Sequence, residues 1–75
     1  MPQGPLGNRL REERALRGLT QADLARMVGV SRKTINTVEN RIFIPSTVLA
    51  LRLARALSVP VERLFHLTDS DPGDL

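Results

Sequence analysis

Seventy-five residues make one small domain with a marginal core, and the absence of cysteine excludes a disulfide framework and a thiolate metal site. The net charge of +3 hides an asymmetry: all eleven Lys and Arg lie between Arg9 and Arg63 against five acids, so that body is +6, while Asp69, Asp71 and Asp74 follow it. A compact basic body points to a polyanionic partner, and the lone His66 excludes a multi-histidine metal site.

Residues 1–7, rich in Pro and Gly, read as a flexible arm. MPQGPLGNRL lacks the apolar region of a secretory signal, and no run approaches the roughly 18 apolar residues of a spanning helix. Asn8 is expected to cap a first helix over about 9–17, with Leu10 and Leu16 as its apolar positions and Gly18 as its stop. Thr20 caps a second, TQADLARMV, with Asp23 placed for a capping box and Gly29 ending it. Ser31 caps a third, running to Glu39 or Asn40.

RIFIP is a loop, because Pro45 disfavours helix at Ile44. Ser46 caps a fourth helix over 47–57, with Leu51, Ala54 and Leu57 on one stripe widened by Val48, Leu49 and Leu53. Pro60 suits the first position of a short fifth helix, and 68–75 reads as an acidic disordered tail. The fold class is therefore all-α, a five-helix bundle over 8–67, with LFHL the one hint of a terminal strand.

Function is concentrated in Gln21–Asn40. Leu24, Val28, Val30, Ile35 and Val38 are apolar, Ala25 is small, and Gly29 takes the turn. Arg32, Lys33, Asn36, Thr37 and Asn40 fall on the other face of the third helix. Two cations at a helix N-terminus oppose the helix dipole unless their anions are external. The pattern is that of a helix-turn-helix, whose second helix enters the DNA major groove.

QADLARMVGVSRKTINTVEN closely resembles the helix-turn-helix of the Cro/repressor-type, or Xre, family. NRLREERALRGLT resembles that family's first helix, and ENRIFIPSTVLALRLARALSVPVERLF its continuation. Short members are similar to small dimeric transcriptional regulators. The resemblance implies a cytoplasmic, homodimeric repressor that binds a two-fold double-stranded DNA operator and needs no cofactor or metal.

The expected DNA contacts are Gln21 on a backbone phosphate, Ser31 as cap and phosphate donor, Arg32 and Lys33 on guanine edges, Asn36 on adenine and Thr37 on thymine or phosphate. Asn40 and Arg41 are expected near the flanking backbone, although Arg41 replaces a Gly often found there in the family. The resemblance also implies a structural ion pair between Arg14 and Glu39. Glu13 stands where the family has an apolar residue, and Leu16 is expected to swing the buried face round. One or two of Ile42, Phe43 and Ile44 are expected to cap the core, and any left exposed to join a dimer contact or a second domain in a partner. Leu64, Phe65 and Leu67 are the candidates for a dimer interface.

An enzyme is not expected, for want of a nucleophile–base arrangement or a Gly-rich phosphate loop. A membrane-surface role fails because the basic residues are spread over several helices. The rival reading is an antitoxin or adaptor using the same fold for protein contacts. No pocket for a small-molecule effector is evident in the sequence.

Overall fold

The computed structural model describes residues 4–69. Its elements, in order, are β1 (Leu6–Asn8), α1 (Leu10–Leu16), α2 (Gln21–Val28), α3 (Arg32–Glu39), α4 (Thr47–Leu57), α5 (Val61–Leu64) and β2 (Phe65–Leu67). The five helices surround one core of Leu10, Leu24, Ala25, Val28, Ile35, Val38, Leu49, Leu53, Ala54, Leu57, Leu64 and Phe65. No helix among the described residues is long and apolar enough to cross a membrane.

Helix ends follow local chemistry. The Oγ atoms of Ser31 and Ser46 accept the amides of Thr34 and Leu49 at 3.1 Å. Each satisfies an amide that the helix itself leaves unpaired. Thr20 and Asp23 form a reciprocal capping box, both bonds 2.9 Å. Gly18 and Gly29 take left-handed conformations just past α1 and α2, with φ of 66° and 76°. Those angles strain any residue with a Cβ.

At α1 the cap differs from expectation by one residue. Arg9 is the N-cap, and its side chain makes no capping bond. Asn8 supplies the oxygen, accepting the Leu10 amide at 3.0 Å. The buried face also differs. Glu13 is buried and Leu16 is 79% exposed, so Leu16 does not replace it. Glu13 tolerates this site because Arg17, one turn on, lies 2.9 Å from its carboxylate.

On α4 the core row is Leu49, Leu53 and Leu57, at a spacing of four, with Ala54 beside it. Leu51 and Val48, expected on the buried stripe, are exposed. Pro60 is the N-cap of α5 rather than its first helical residue, and α5 stops at Leu64.

Phe65–Leu67 leaves the helix as β2 and pairs antiparallel with β1, Leu6 opposite Leu67, Gly7 opposite His66 and Asn8 opposite Phe65. The arm expected to be loose is thus part of the fold from Leu6 onward, because its backbone groups find a partner strand. Gly7 is buried under the His66 imidazole, which a Cβ there would overlap. The Thr68 amide donates to the Pro5 carbonyl at 2.8 Å and its hydroxyl to the Gly4 carbonyl at 2.9 Å. Order therefore extends into the expected tail; residues 1–3 and 70–75 lie outside the described residues.

Candidate nucleic-acid interface

The site is built on α2, a tight turn and α3. Gly29 ends α2, and the Val30 amide returns to the Ala25 carbonyl at 3.0 Å. The side chains of Leu24, Val28, Ile35 and Val38 lock the two helices together in the core. Ser31 then starts α3, with its Oγ also 3.0 Å from the Thr34 hydroxyl. We expect Ser31→Ala to lower stability by about 1 kcal/mol through the lost cap. Thermal melting checks this, with a fall of about 4–8 °C.

Arg32, Lys33, Asn36 and Asn40 are exposed along α3, while Ile35, Val38 and Glu39 are buried on its other face. Among the described residues the four ion pairs use Arg11, Arg14, Arg17 and Arg26, and neither Arg32 nor Lys33 takes part in one. Two cations beside the positive end of a helix make this the natural place for an external anion. Thr37 is half-buried, and its hydroxyl donates to the Thr34 carbonyl at 3.0 Å. The hydroxyl oxygen keeps lone pairs with which it can accept a further bond.

Glu39 is the hub that holds this face in place. Its side chain is fully buried, and it accepts Arg14 at 2.6 and 3.2 Å, Gln21 at 3.0 Å and Arg11 at 3.4 Å. Arg14 also donates to the Leu19 carbonyl at 2.8 Å. One carboxylate thereby ties α1, the α1–α2 loop, the start of α2 and the end of α3 together. Burial pushes its pKa up, but the bonds from Arg14, Gln21 and Arg11 and the charge of Arg14 outweigh burial and hold it below the usual carboxylate range. Gln21 spends one amide N–H on this hub, leaving the other for an external acceptor.

A profile of helix-turn-helix proteins matches residues 10–64, from the start of α1 to the end of α5. The chain belongs to the Xre-type helix-turn-helix family. An HTH-type transcriptional regulator of Methanocaldococcus jannaschii is 42% identical over 64 residues, 85% of this chain and 97% of the relative. Another, from Methanothermobacter thermautotrophicus, is 52% identical over 61 residues, 80% and 88% of the two chains. Among solved structures, the restriction-modification controller protein C.AhdI from Aeromonas hydrophila is similar, with a TM-score of 0.70 and 38% identity over 73% of this chain and 83% of that one. This Xre-type protein is a DNA-binding transcriptional regulator.

Other expected site residues lie elsewhere in the regulator. The Asn40 amide donates to the Asn36 carbonyl at 2.9 Å and accepts Arg11 at 3.0 Å. Arg11, missed in the sequence reading, thus holds both Glu39 and Asn40; its place three residues before Arg14 on one helix face was the available signal. Arg41 is not a free cation. Its guanidinium donates to the Leu6 and Gly4 carbonyls, each at 3.2 Å. Its φ of 62° is one that Gly adopts without strain.

Leu64 and Phe65, expected at a dimer interface, are core residues of the single chain at 0% and 9% exposure, because α5 and β2 close the bundle. Leu67 alone of the three is exposed. The expected capping of the core by the IFI loop is likewise corrected. Ile42, Phe43 and Ile44 are all exposed. No group of three or more His, Asp or Glu that could hold a metal occurs among the described residues.

Proposed function

We propose that this regulator is a homodimeric, sequence-specific repressor that reads the major groove of a two-fold operator with α3 and controls its own or an adjacent gene in the cytoplasm. The observation that carries this reading is the exposed Arg32–Lys33 pair at the capped start of α3, in no ion pair among the described residues, with Asn36 one turn on. Arg32 pairs with guanine O6 and N7, Lys33 donates to the same type of acceptor, and Asn36 takes the N6 and N7 of adenine. Thr37 offers its methyl to thymine. Ser31, the second N–H of Gln21 and the second N–H of Asn40 serve phosphates.

A single domain of this kind reads one half-site, and a second copy supplies the other. With Leu64 and Phe65 in the core, the dimer contact falls to exposed apolar side chains. Val48 and Leu51 line a groove with Arg52 and Arg55 on α4, Ile42 to Ile44 lead into that helix, and Leu67 lies exposed on β2. Exposed apolar surface of this kind is a usual mark of a protein contact. It also supports the antitoxin or adaptor reading, with a different protein in place of the second copy.

Fluorescence anisotropy with the DNA upstream of its own gene, at two salt concentrations and against scrambled competitor, tests the proposal. Tight binding that survives competitor and weakens steeply with salt is the expected result. No binding to either duplex would return the chain to the protein-partner reading. Sedimentation at micromolar concentration is expected to give a dimer for wild type and a monomer for Leu51→Glu. A wild-type monomer removes dimerisation in free solution, and a dimeric variant moves the contact off α4.

A further inference from the structure

We infer that Arg41 is a positioning residue: its guanidinium straps the amino-terminal strand to the end of the recognition helix, and it affects DNA binding through that strand rather than by touching phosphate. The inference rests on the reading of α3 as the helix that enters the groove. Three observations carry it. Arg41 follows directly on the Asn40 C-cap of α3, and its left-handed backbone makes an unfavourable setting for any residue but Gly. From there it reaches back over more than thirty residues to the Leu6 and Gly4 carbonyls.

The grip is reciprocal. From β1, the Asn8 amide donates to the Val38 carbonyl at 2.9 Å, one of the helix-end acceptors of α3. The same carbonyl takes the Arg41 amide at 3.0 Å. The strand is anchored in turn from its other side, where Thr68 bonds to Gly4 and Pro5. The last turn of α3 is therefore bolted to a two-stranded sheet made from the two ends of the domain.

Two N–H groups of one planar fork must meet two carbonyls two residues apart. Lysine carries the same charge but cannot reproduce that geometry. A phosphate contact has no such requirement, since a point charge serves it well. Charge and geometry can thus be separated experimentally.

The test compares wild type, Arg41→Lys and Arg41→Gly. Gly adopts the φ of this position freely, so that variant keeps the fold. Hydrogen exchange on the free proteins reads the strap without any DNA. Both variants are expected to lose roughly tenfold of the protection of the Thr68 amide while amides of α2 and α4 stay unchanged. In anisotropy titrations over a salt series, both are expected to bind the operator roughly three- to tenfold more weakly with the slope of log K against log salt unchanged.

Wild-type affinity in Arg41→Lys, with a slope reduced by about one in Arg41→Gly, would make Arg41 a phosphate contact and overturn the inference. Unchanged Thr68 protection in both variants would overturn it as well. If the wild-type protein binds no operator, the reading of α3 fails. The exchange experiment then still decides whether Arg41 holds the strand.

Discussion

Lys33→Glu leaves melting temperature and helicity unchanged and weakens operator binding by about two orders of magnitude, since it removes a donor worth about 1–3 kcal/mol and sets a like charge against phosphate. A dimer carries the change twice. Lys33 is exposed and outside the recorded ion pairs, so the folded domain loses no internal bond. Glutamate at this position even suits the helix dipole better than lysine, so folding stability holds or rises slightly. Stability and affinity therefore move independently in this variant. If it binds as tightly as wild type, α3 does not present this face to DNA.

Glu39→Ala has the opposite profile. Arg14, at 15% side-chain exposure, loses the carboxylate 2.6 Å away, and Gln21 loses its acceptor. Leaving a largely buried cation without its partner costs about 3–5 kcal/mol. Small domains have about 5–15 kcal/mol in all, so the variant melts 15–30 °C lower or fails to fold at 37 °C. The double change Arg14→Met with Glu39→Leu recovers much of the loss by replacing charge with packed carbon. Recovery by the pair but not by either single change, in urea titrations, establishes the coupling.

The same carboxylate sets a pH dependence. Its folded pKa lies below the unfolded value, so the unfolded chain binds the extra proton as pH falls. The stabilisation is complete above the unfolded value of about 4.3 and is lost progressively as pH falls through the folded one. Glu39→Gln removes this contribution at all pH values. Its stability therefore falls less steeply than wild type below about pH 4. Parallel acid curves for the two proteins would show that another carboxylate dominates there; Asp23, also held low by its bonds to Thr20, is the next to test.

The legible parts of the fold were those governed by neighbours in sequence. Thr20, Ser31 and Ser46 cap helices because a hydroxyl there reaches an amide three residues on, and Gly29 ends α2 because the turn needs a positive φ. The strand pair was not legible, since its bonds are made by backbone atoms that carry no residue signature. Only the alternation in LFHL hinted at it. On α4, eight apolar residues in eleven allow more than one stripe, and only the packing of α2 and α5 selects Leu49 over Leu51.

The same distinction holds at the candidate site. The outward face of α3 follows from helical spacing alone. The fate of Arg41 did not, because its partners are carbonyls of an arm that composition marked as loose. Leu64, Phe65 and Leu67 looked alike as apolar residues near the C-terminus. In the folded chain the first two are buried and the third is exposed, a difference set by tertiary packing.

The pairing of Leu6 with Leu67 also bears on synthesis. The α2–α3 hairpin needs only local contacts and can form while the chain is still growing. The sheet needs two stretches separated by almost the whole domain, and closing so long a loop is slow. During translation the first strand to emerge waits unpaired until the last one has left the ribosome. The final turn of α3 lacks the bonds that Asn8 and Arg41 make between it and β1 in their sheet-anchored form until β2 has emerged.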